Sequence, residues 1–195
     1  RIYEMQKIIL KLYGAEPMAN RKDLGVRKAE DGILELVYCG YPDRAVAAHK
    51  VEDLAMDAQR FVGAGYNRLV ILAWDYEYNY DELLQTRIKA AGKDLKTEIV
   101  SRQIPPDIYE YLKQAKSEED IERLSDKVKF LEKPYLKLLK PKINGASVTI
   151  GIEKYVLYDF PLGSGKKADE DREALLHLVK DNFAILIDYW AVDWE

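Results

Sequence analysis

The sequence is poor in the residues that disulfide frameworks and zinc sites require. Its one cysteine, Cys39, excludes a disulfide framework and favours a reducing, cytoplasmic setting, where we expect the thiol to be a small buried group in a strand. With only two histidines beside it, a zinc site is not expected. No apolar run approaches the roughly 20 residues of a membrane helix and no stretch resembles a signal peptide, so we expect no membrane partner.

The composition is that of a folded protein. The chain has 195 residues, of which 48% are hydrophobic and 33% charged, enough for a sizeable core. It begins at Arg1 without a methionine and stops in an aromatic stretch at Glu195. We therefore expect a piece of a longer polypeptide.

An apolar run from Leu69 to Trp74 organises the first part of the chain. Its length and its sharp polar end predict a strand buried on both faces. Helical periodicity is expected on both sides of it, and short apolar runs before and after complete the pattern. The predicted elements are a helix at 1–13, strands at Ile33–Cys39 and Leu95–Val100, and helices at Val51–Val62 and Tyr80–Ala91, with 15–31 as a loop. This order predicts an α/β fold with a three-layer-like β-α-β-α-β parallel sheet core.

From residue 127 the pattern changes to short strands and turns. Asn144-Gly145 predicts a β-hairpin within a hairpin-rich appendage, and strand-like residues continue to Tyr158. A helix at Asp169–Lys180 follows, and a strand is expected from Ala184 to Trp194. The helix is expected to bury its apolar residues Leu175, Leu176, Leu178 and Val179. We therefore expect an α/β domain at 1–126 and a β-rich subdomain with a C-terminal helix and strand at 127–195, packed as one unit.

Polar residues follow the central strand at its carboxyl end, where open α/β sheets bind their ligands. The candidate polar site consists of Trp74, Asp75, Glu77 and Asn79. An alternative stays open, because a carboxylate after a strand often serves only as the N-cap of the next helix.

Two motifs suggest a methyltransferase site but lack its context. Phe61-Val-Gly-Ala-Gly65 matches the F-x-G-x-G of a cofactor loop, yet it follows a helix and precedes a strand, which is the reverse of what backbone contact with the cofactor needs. Ile104-Pro-Pro-Asp107 has isoleucine in the polar position and aspartate in the aromatic position of a base-flipping tetrapeptide. We therefore assign no catalytic, cofactor-binding or metal-binding residues.

Charge is divided unevenly along the second half. Residues 127–167 hold nine lysines against three acids, a formal charge of +6, and residues 168–195 carry −6. The basic segment offers candidate DNA-phosphate contacts at Lys137, Lys140, Lys142, Lys166 and Lys167. The alternative is that the acidic segment packs beside it and neutralises it. The net charge of −4 argues against a dedicated nucleic-acid binder.

Three stretches carry a resemblance to a known family. They are Ile187-Asp-Tyr-Trp-Ala-Val-Asp-Trp194, Glu132-Lys-Pro-Tyr-Leu-Lys-Leu138 and Leu72-Ala-Trp-Asp-Tyr-Glu-Tyr78. Together they resemble the C-terminal region of bacterial and archaeal adenine-specific (N4/N6 amino) DNA methyltransferases, similar to the modification subunits of type III restriction systems. The resemblance runs from about Ile2 to the end of the chain.

The resemblance implies a parent enzyme that transfers a methyl group from S-adenosylmethionine to a base amino group in DNA, usually adenine N6. This chain would be its accessory, non-catalytic region, without a cofactor of its own, contributing to target recognition or interdomain contact. Its partners would be the remainder of the methyltransferase chain, double-stranded DNA and a restriction subunit. Alternating acids and aromatics provide candidate interdomain contacts at Asp188, Tyr189, Trp190, Asp193 and Trp194.

Two other hypotheses remain open from the sequence. One is a structural or protein-interaction module without a DNA role, whose tryptophan-rich end docks on another chain segment. The other is a metal-dependent hydrolase, because Asp75 and Glu77 would share one face of a regular strand. No lysine follows these two carboxylates at the spacing that metal-dependent nucleases generally use.

Overall fold

The computed structural model describes residues 2–61, 65–158 and 165–187 and divides the chain into two compact units, Arg1–Lys133 and Pro134–Glu195. The elements of the first unit are α1 (Ile2–Leu12), β1 (Glu16–Pro17), β2 (Leu24–Lys28), β3 (Leu34–Cys39), α2 (Ala48–Ala58), β4 (Arg68–Ala73), α3 (Tyr80–Ala91), β5 (Glu98–Gln103), α4 (Ile108–Gln114), α5 (Glu118–Ser125) and β6 (Leu131–Glu132). Those of the second are β7 (Tyr135–Leu138), β8 (Lys142–Asn144), β9 (Ser147–Thr149), β10 (Ile152–Val156) and α6 (Lys166–Asp181).

The first unit contains a six-stranded mixed sheet in the order β1-β2-β3-β4-β5-β6. Strands β3, β4 and β5 are parallel neighbours joined through α2 and α3, and the outer strands β2 and β6 are antiparallel to them. The mixed α/β class and the parallel β-α-β-α-β segment are thereby confirmed. Strand β6 lies beyond residue 126, where the sequence predicted a domain boundary, and pairs with β5 in this same sheet.

Strand β4 is buried on both faces, as its apolar run predicts. Leu69, Val70, Ile71 and Leu72 have no exposed surface. Alternate side chains enter two separate apolar clusters. Val70 and Leu72 join residues of α1, α4 and α5, whereas Leu69 and Ile71 join residues of α2 and α3.

The amino ends of the parallel strands are closed by ion pairs. The carboxylate of Glu35, only 2% exposed, accepts from Arg27 at 2.8 Å and from Arg68 at 3.1 Å. Arg68 also donates to Asp31 and Glu98 at 2.8 and 2.9 Å. Because these side chains form ion pairs with one another, they are not available to bind a charged ligand at this end of the sheet.

The prediction of a loop at 15–31 is wrong, because β1 and β2 lie within it. Leu24 pairs with Tyr38 and Val26 with Leu36, so the pairing with β3 overrides a polar local composition. Strand β5 begins and ends three residues later than predicted, since its parallel register places Ile99 beside Leu69. Helix α3 has the predicted bounds.

The second unit contains two small antiparallel ribbons, β7 with β10 and β8 with β9. The hairpin is confirmed, but its turn is shifted by one residue. Asn144 pairs with Ser147, and Gly145 (φ 58°) is the first central residue of the turn. A positive φ at that position is what the favoured two-residue hairpin turns require.

Helix α6 buries less apolar surface than predicted. Leu176 and Leu178 are 43% and 53% exposed, so their inward placement is wrong, while Leu175 and Val179 are half-buried. The prediction of a strand at 184–194 is also wrong for its first residues. Residues Phe183–Leu186 form a short 3₁₀ helix in which Asn182 accepts from the amide of Ala184, and 188–194 lie outside the described residues.

Candidate functional site

The two carboxylates of the predicted polar site bind the protein's own backbone. Asp75 Oδ1 accepts from the amide of Tyr76 at 2.8 Å, and Glu77 Oε1 accepts from the amide of Ala48 at 2.7 Å. Ala48 is the first residue of α2, so Glu77 satisfies the amino terminus of that helix. The capping alternative is therefore partly correct, but the capped helix lies before β4 in the chain and not after it.

The segment around these carboxylates is held as a short extension of the sheet. Val46 forms a parallel bridge with Tyr76, with backbone hydrogen bonds of 3.0 Å to Asp75 O and from Glu77 N. Asp75 and Glu77 thus point to different partners. The described residues contain no cluster of three His, Cys, Asp or Glu side chains that could hold a metal ion.

The other two members of the predicted site, Trp74 and Asn79, lie at the two ends of this segment. Asn79 adopts the left-handed conformation (φ 59°), which asparagine tolerates, directly before α3. The backbone carbonyl of Trp74 accepts from the side chain of Gln103 at 2.7 Å. Trp74 Nε1 and Asn79 Oδ1 are both buried and have no hydrogen-bond partner among the described residues.

A group that we name the tyrosine–lysine clasp occupies the same end of the sheet. It consists of Tyr76, Tyr80, Asp81 and Lys133. The two rings lie 4.6 Å apart, and Lys133 Nζ lies 5.4 and 5.7 Å from their centroids and 2.6 Å from Asp81 Oδ2. Tyr76 and Lys133 belong to two of the stretches that carry the family resemblance, so those stretches meet in space.

Both phenols of the clasp are anchored to β5. Tyr76 donates to Arg102 O at 2.6 Å, and the Tyr80 hydroxyl lies 2.8 Å from Ser101 Oγ. Burial is the main cause that raises the pKa of both tyrosines, with the negative charge of Asp81 adding to it. Tyr76 and Tyr80 are therefore explained by packing against β5, whereas Tyr78 is 63% exposed.

A cleft that the sequence analysis missed lies at the carboxyl end of β3. It has a volume of about 140 Å³ and is lined by Tyr38, Tyr41, Arg44, Ala45, Val46, Ala47, His49 and Lys50. Lys50 Nζ lies 4.9 Å from the Tyr38 ring centroid, and the Arg44 guanidinium lies 5.4 Å from that of Tyr41. Burial and the nearby Asp23 raise the pKa of Tyr38 to about 12. The sequence feature that could have indicated this cleft is the Tyr-x-x-Tyr-x-x-Arg spacing of residues 38–44.

The predicted DNA-phosphate lysines fall into two groups. Lys137 forms a 2.9 Å ion pair with Glu153, within the β7–β10 ribbon. Four others are exposed and form no ion pair with any residue that the structure describes: Lys140 and Lys142 beside and within β8, and Lys166 and Lys167 in the first turn of α6.

The candidate interdomain residues Asp188, Tyr189, Trp190, Asp193 and Trp194 lie outside the described residues. Within the described ranges, no helix is long and apolar enough to cross a lipid bilayer.

Comparisons with known proteins add no relative. No family model matches the chain, and no curated protein or solved structure shows significant similarity to it.

Proposed function

We propose that this chain is an accessory, non-catalytic region of an adenine-specific DNA methyltransferase and that it contacts duplex DNA through its second unit. The parent enzyme would transfer a methyl group from S-adenosylmethionine to a base amino group, and a restriction subunit would be a further partner. The observation that carries the DNA role is the set of four exposed lysines in the second unit that lack ion pairs within the described ranges.

The motifs that resemble catalytic elements support a non-catalytic role. Ile104 is 1% exposed and its amide donates to Ala73 O at 2.9 Å, so it lies at the end of the sheet, and the Pro-Pro segment leads by a turn into α4. Asp107 is the N-cap residue of α4. Neither residue offers the polar acceptor and stacking ring that extraction of a base requires.

The residues present do not fit S-adenosylmethionine. The glycine-rich stretch 61–65 follows α2 and precedes β4, so it cannot form the strand-to-helix turn that presents backbone amides to a cofactor. Gly65 (φ 68°) instead packs against the end of α2, where a Cβ atom would lie 2.8 Å from Gln59 O. We assign the cofactor to the parent enzyme and derive no step through it.

The proposal includes the three-layer organisation expected for the first unit, with helices on both faces of the sheet. The two separate apolar clusters on opposite faces of β4 support it. The exposed lysines of the second unit supply the contacts to the DNA backbone.

Salt-dependent binding of a short duplex to the 195-residue chain tests the DNA role. Fluorescence anisotropy between about 50 and 200 mM salt should show affinity falling with a log–log slope of up to about −3.6, which is about −0.9 for each of four neutralised phosphates. The variant Lys140→Gln/Lys142→Gln should reduce the magnitude of that slope by about 1.8.

Lys89→Gln/Lys93→Gln is the matched control, because it removes the same charge from exposed positions of the first unit. It should leave the slope unchanged. Absence of duplex binding at the lowest salt would refute the DNA role, and an equal effect of both variants would refute its assignment to the second unit.

A further inference from the structure

The β8–β9 hairpin has regular hydrogen bonding and yet is exposed along its whole length. Every residue from 139 to 149 is exposed, although β8 and β9 are paired along their length. The tip residue Ile143 is 77% exposed and Val148 is 42% exposed. A two-stranded ribbon of this size gains little stability from its own contacts, so an exposed apolar face on it calls for an explanation.

The two apolar residues act as one surface because of their register. Ile143 pairs directly with Val148, so both side chains lie on the same face of the ribbon, while the pairs on either side of them lie on the other. Isolated exposed apolar residues are common on proteins, but a directly opposed pair on a projecting hairpin forms a continuous patch. We name this patch the ribbon face.

The charge around the ribbon face indicates its occupant. Residues 139–151 contain two lysines and no acid. Lys140 precedes β8 and Lys142 begins it, and neither forms an ion pair with a described residue. Both lysines lie on one side of the ribbon face, at the start of β8. An apolar patch beside such cations is complementary to a polyanion that carries apolar groups at the bottom of a groove. A protein partner would need an acidic rim to satisfy the same lysines.

Dimensions agree with duplex DNA. The major groove is about 12 Å wide and admits a two-stranded ribbon, whose strands are about 4.8 Å apart. On the base edges exposed there, the C5-methyl group of thymine is the one apolar feature, and aliphatic side chains bind it. Lysines beside the inserted strand reach the phosphates along the rim.

We propose that the β8–β9 hairpin enters the major groove of DNA, with Ile143 and Val148 against thymine methyl groups and Lys140 and Lys142 on flanking phosphates. This deepens the proposed function and rests on it, since it names the element through which the second unit contacts the duplex. The ribbon face provides sequence preference, and the lysines provide affinity that depends on salt.

The test compares two duplexes that differ only in the C5-methyl group of each thymine. The 195-residue chain is titrated against a T-rich duplex and against the same sequence with uracil in place of thymine, which deletes the C5-methyl. We expect about tenfold tighter binding to the thymine duplex, comparable with the contribution of one base-pair contact. The variant Ile143→Ser/Val148→Ser should bind both duplexes equally, and the salt dependence of its binding should be that of the unmodified 195-residue chain.

Ile185→Ser is the matched control, because Ile185 is 57% exposed and lies outside the hairpin. It should preserve the preference for thymine. Circular dichroism of each variant verifies that the fold is retained, and the small exposed side chains make a loss of folding unexpected.

The outcomes separate this inference from the proposed function. Salt-dependent binding that is equal for thymine and uracil duplexes would overturn the groove assignment and leave the DNA role standing. No binding to either duplex at low salt would overturn both. A thymine preference that survives Ile143→Ser/Val148→Ser would show that another element reads the groove and would also overturn the inference.

Discussion

Lys133 of the tyrosine–lysine clasp is the residue whose replacement tests the structural account most sharply. Its amine forms a 2.6 Å ion pair with Asp81, and the two side chains are only 13% and 16% exposed. It also lies over the rings of Tyr76 and Tyr80. In Lys133→Met the aliphatic part of the side chain is retained, so the change removes mainly the charge.

The magnitude follows from these contacts. Breaking a buried ion pair from one side costs about 3–5 kcal/mol, and the residual exposure of this pair lowers that to about 2–3 kcal/mol. The lost cation–π contacts add about 0.5–1 kcal/mol. We expect Lys133→Met to lower the free energy of unfolding by about 2–4 kcal/mol.

Urea denaturation with a constant m-value measures this loss. A double-mutant cycle with Asp81→Asn isolates the coupling between the two charges. The double variant removes both charges together and should be more stable than the sum of the single changes indicates. The control is Lys113→Met. Lys113 forms an ion pair with Glu110 in which the two side chains are 70% and 66% exposed, so its loss should lower the free energy of unfolding by less than about 0.5 kcal/mol. If Lys133→Met behaves like Lys113→Met, the clasp does not hold this end of the sheet.

Two further predictions concern alkaline pH and one glycine. Burial raises the pKa of Tyr38 to about 12 and also raises the pKa of Tyr80, so these phenols stay protonated in the folded protein while those of the unfolded chain ionise near pH 10. The stability that they contribute is therefore present below pH 10 and falls as the pH rises through 12. Phenolate absorbance and circular dichroism should show that these tyrosines titrate late and that their titration is coupled to unfolding. Gly65→Ala should cost about 2–3 kcal/mol, because its Cβ would lie 2.8 Å from Gln59 O, whereas Gly32→Ala, with positive φ but open space, should cost about 1 kcal/mol; equal thermal shifts would contradict this.

The elements predicted correctly are those whose signals are local. The apolar run of β4, the periodicity of α3 and the Asn144-Gly145 turn signal each lie within a few residues of chain. The N-cap of α5 also depends on nearby residues, since the Ser117 hydroxyl accepts from the amide of Asp120. Such features need no knowledge of the tertiary structure.

The features that were missed depend on pairing across the chain. Strand β2 is polar and contains Gly25, and only its partner β3 makes it a strand. Lys133 contacts Asp81 across 52 residues of sequence, and Glu77 satisfies α2 from 29 residues away. No local pattern distinguishes such carboxylates and aromatics from a binding site, which explains why the stretch after β4 was predicted to be one.

We propose that the aromatic and acidic stretch after β4 is structural and that the second unit contacts DNA. Amide chemical-shift mapping of the 195-residue chain during titration with a thymine-containing duplex tests it most directly. We expect the largest shifts at residues 140–149 and small ones at 74–80. Large shifts confined to 74–80, with an unperturbed β8–β9 hairpin, would contradict it.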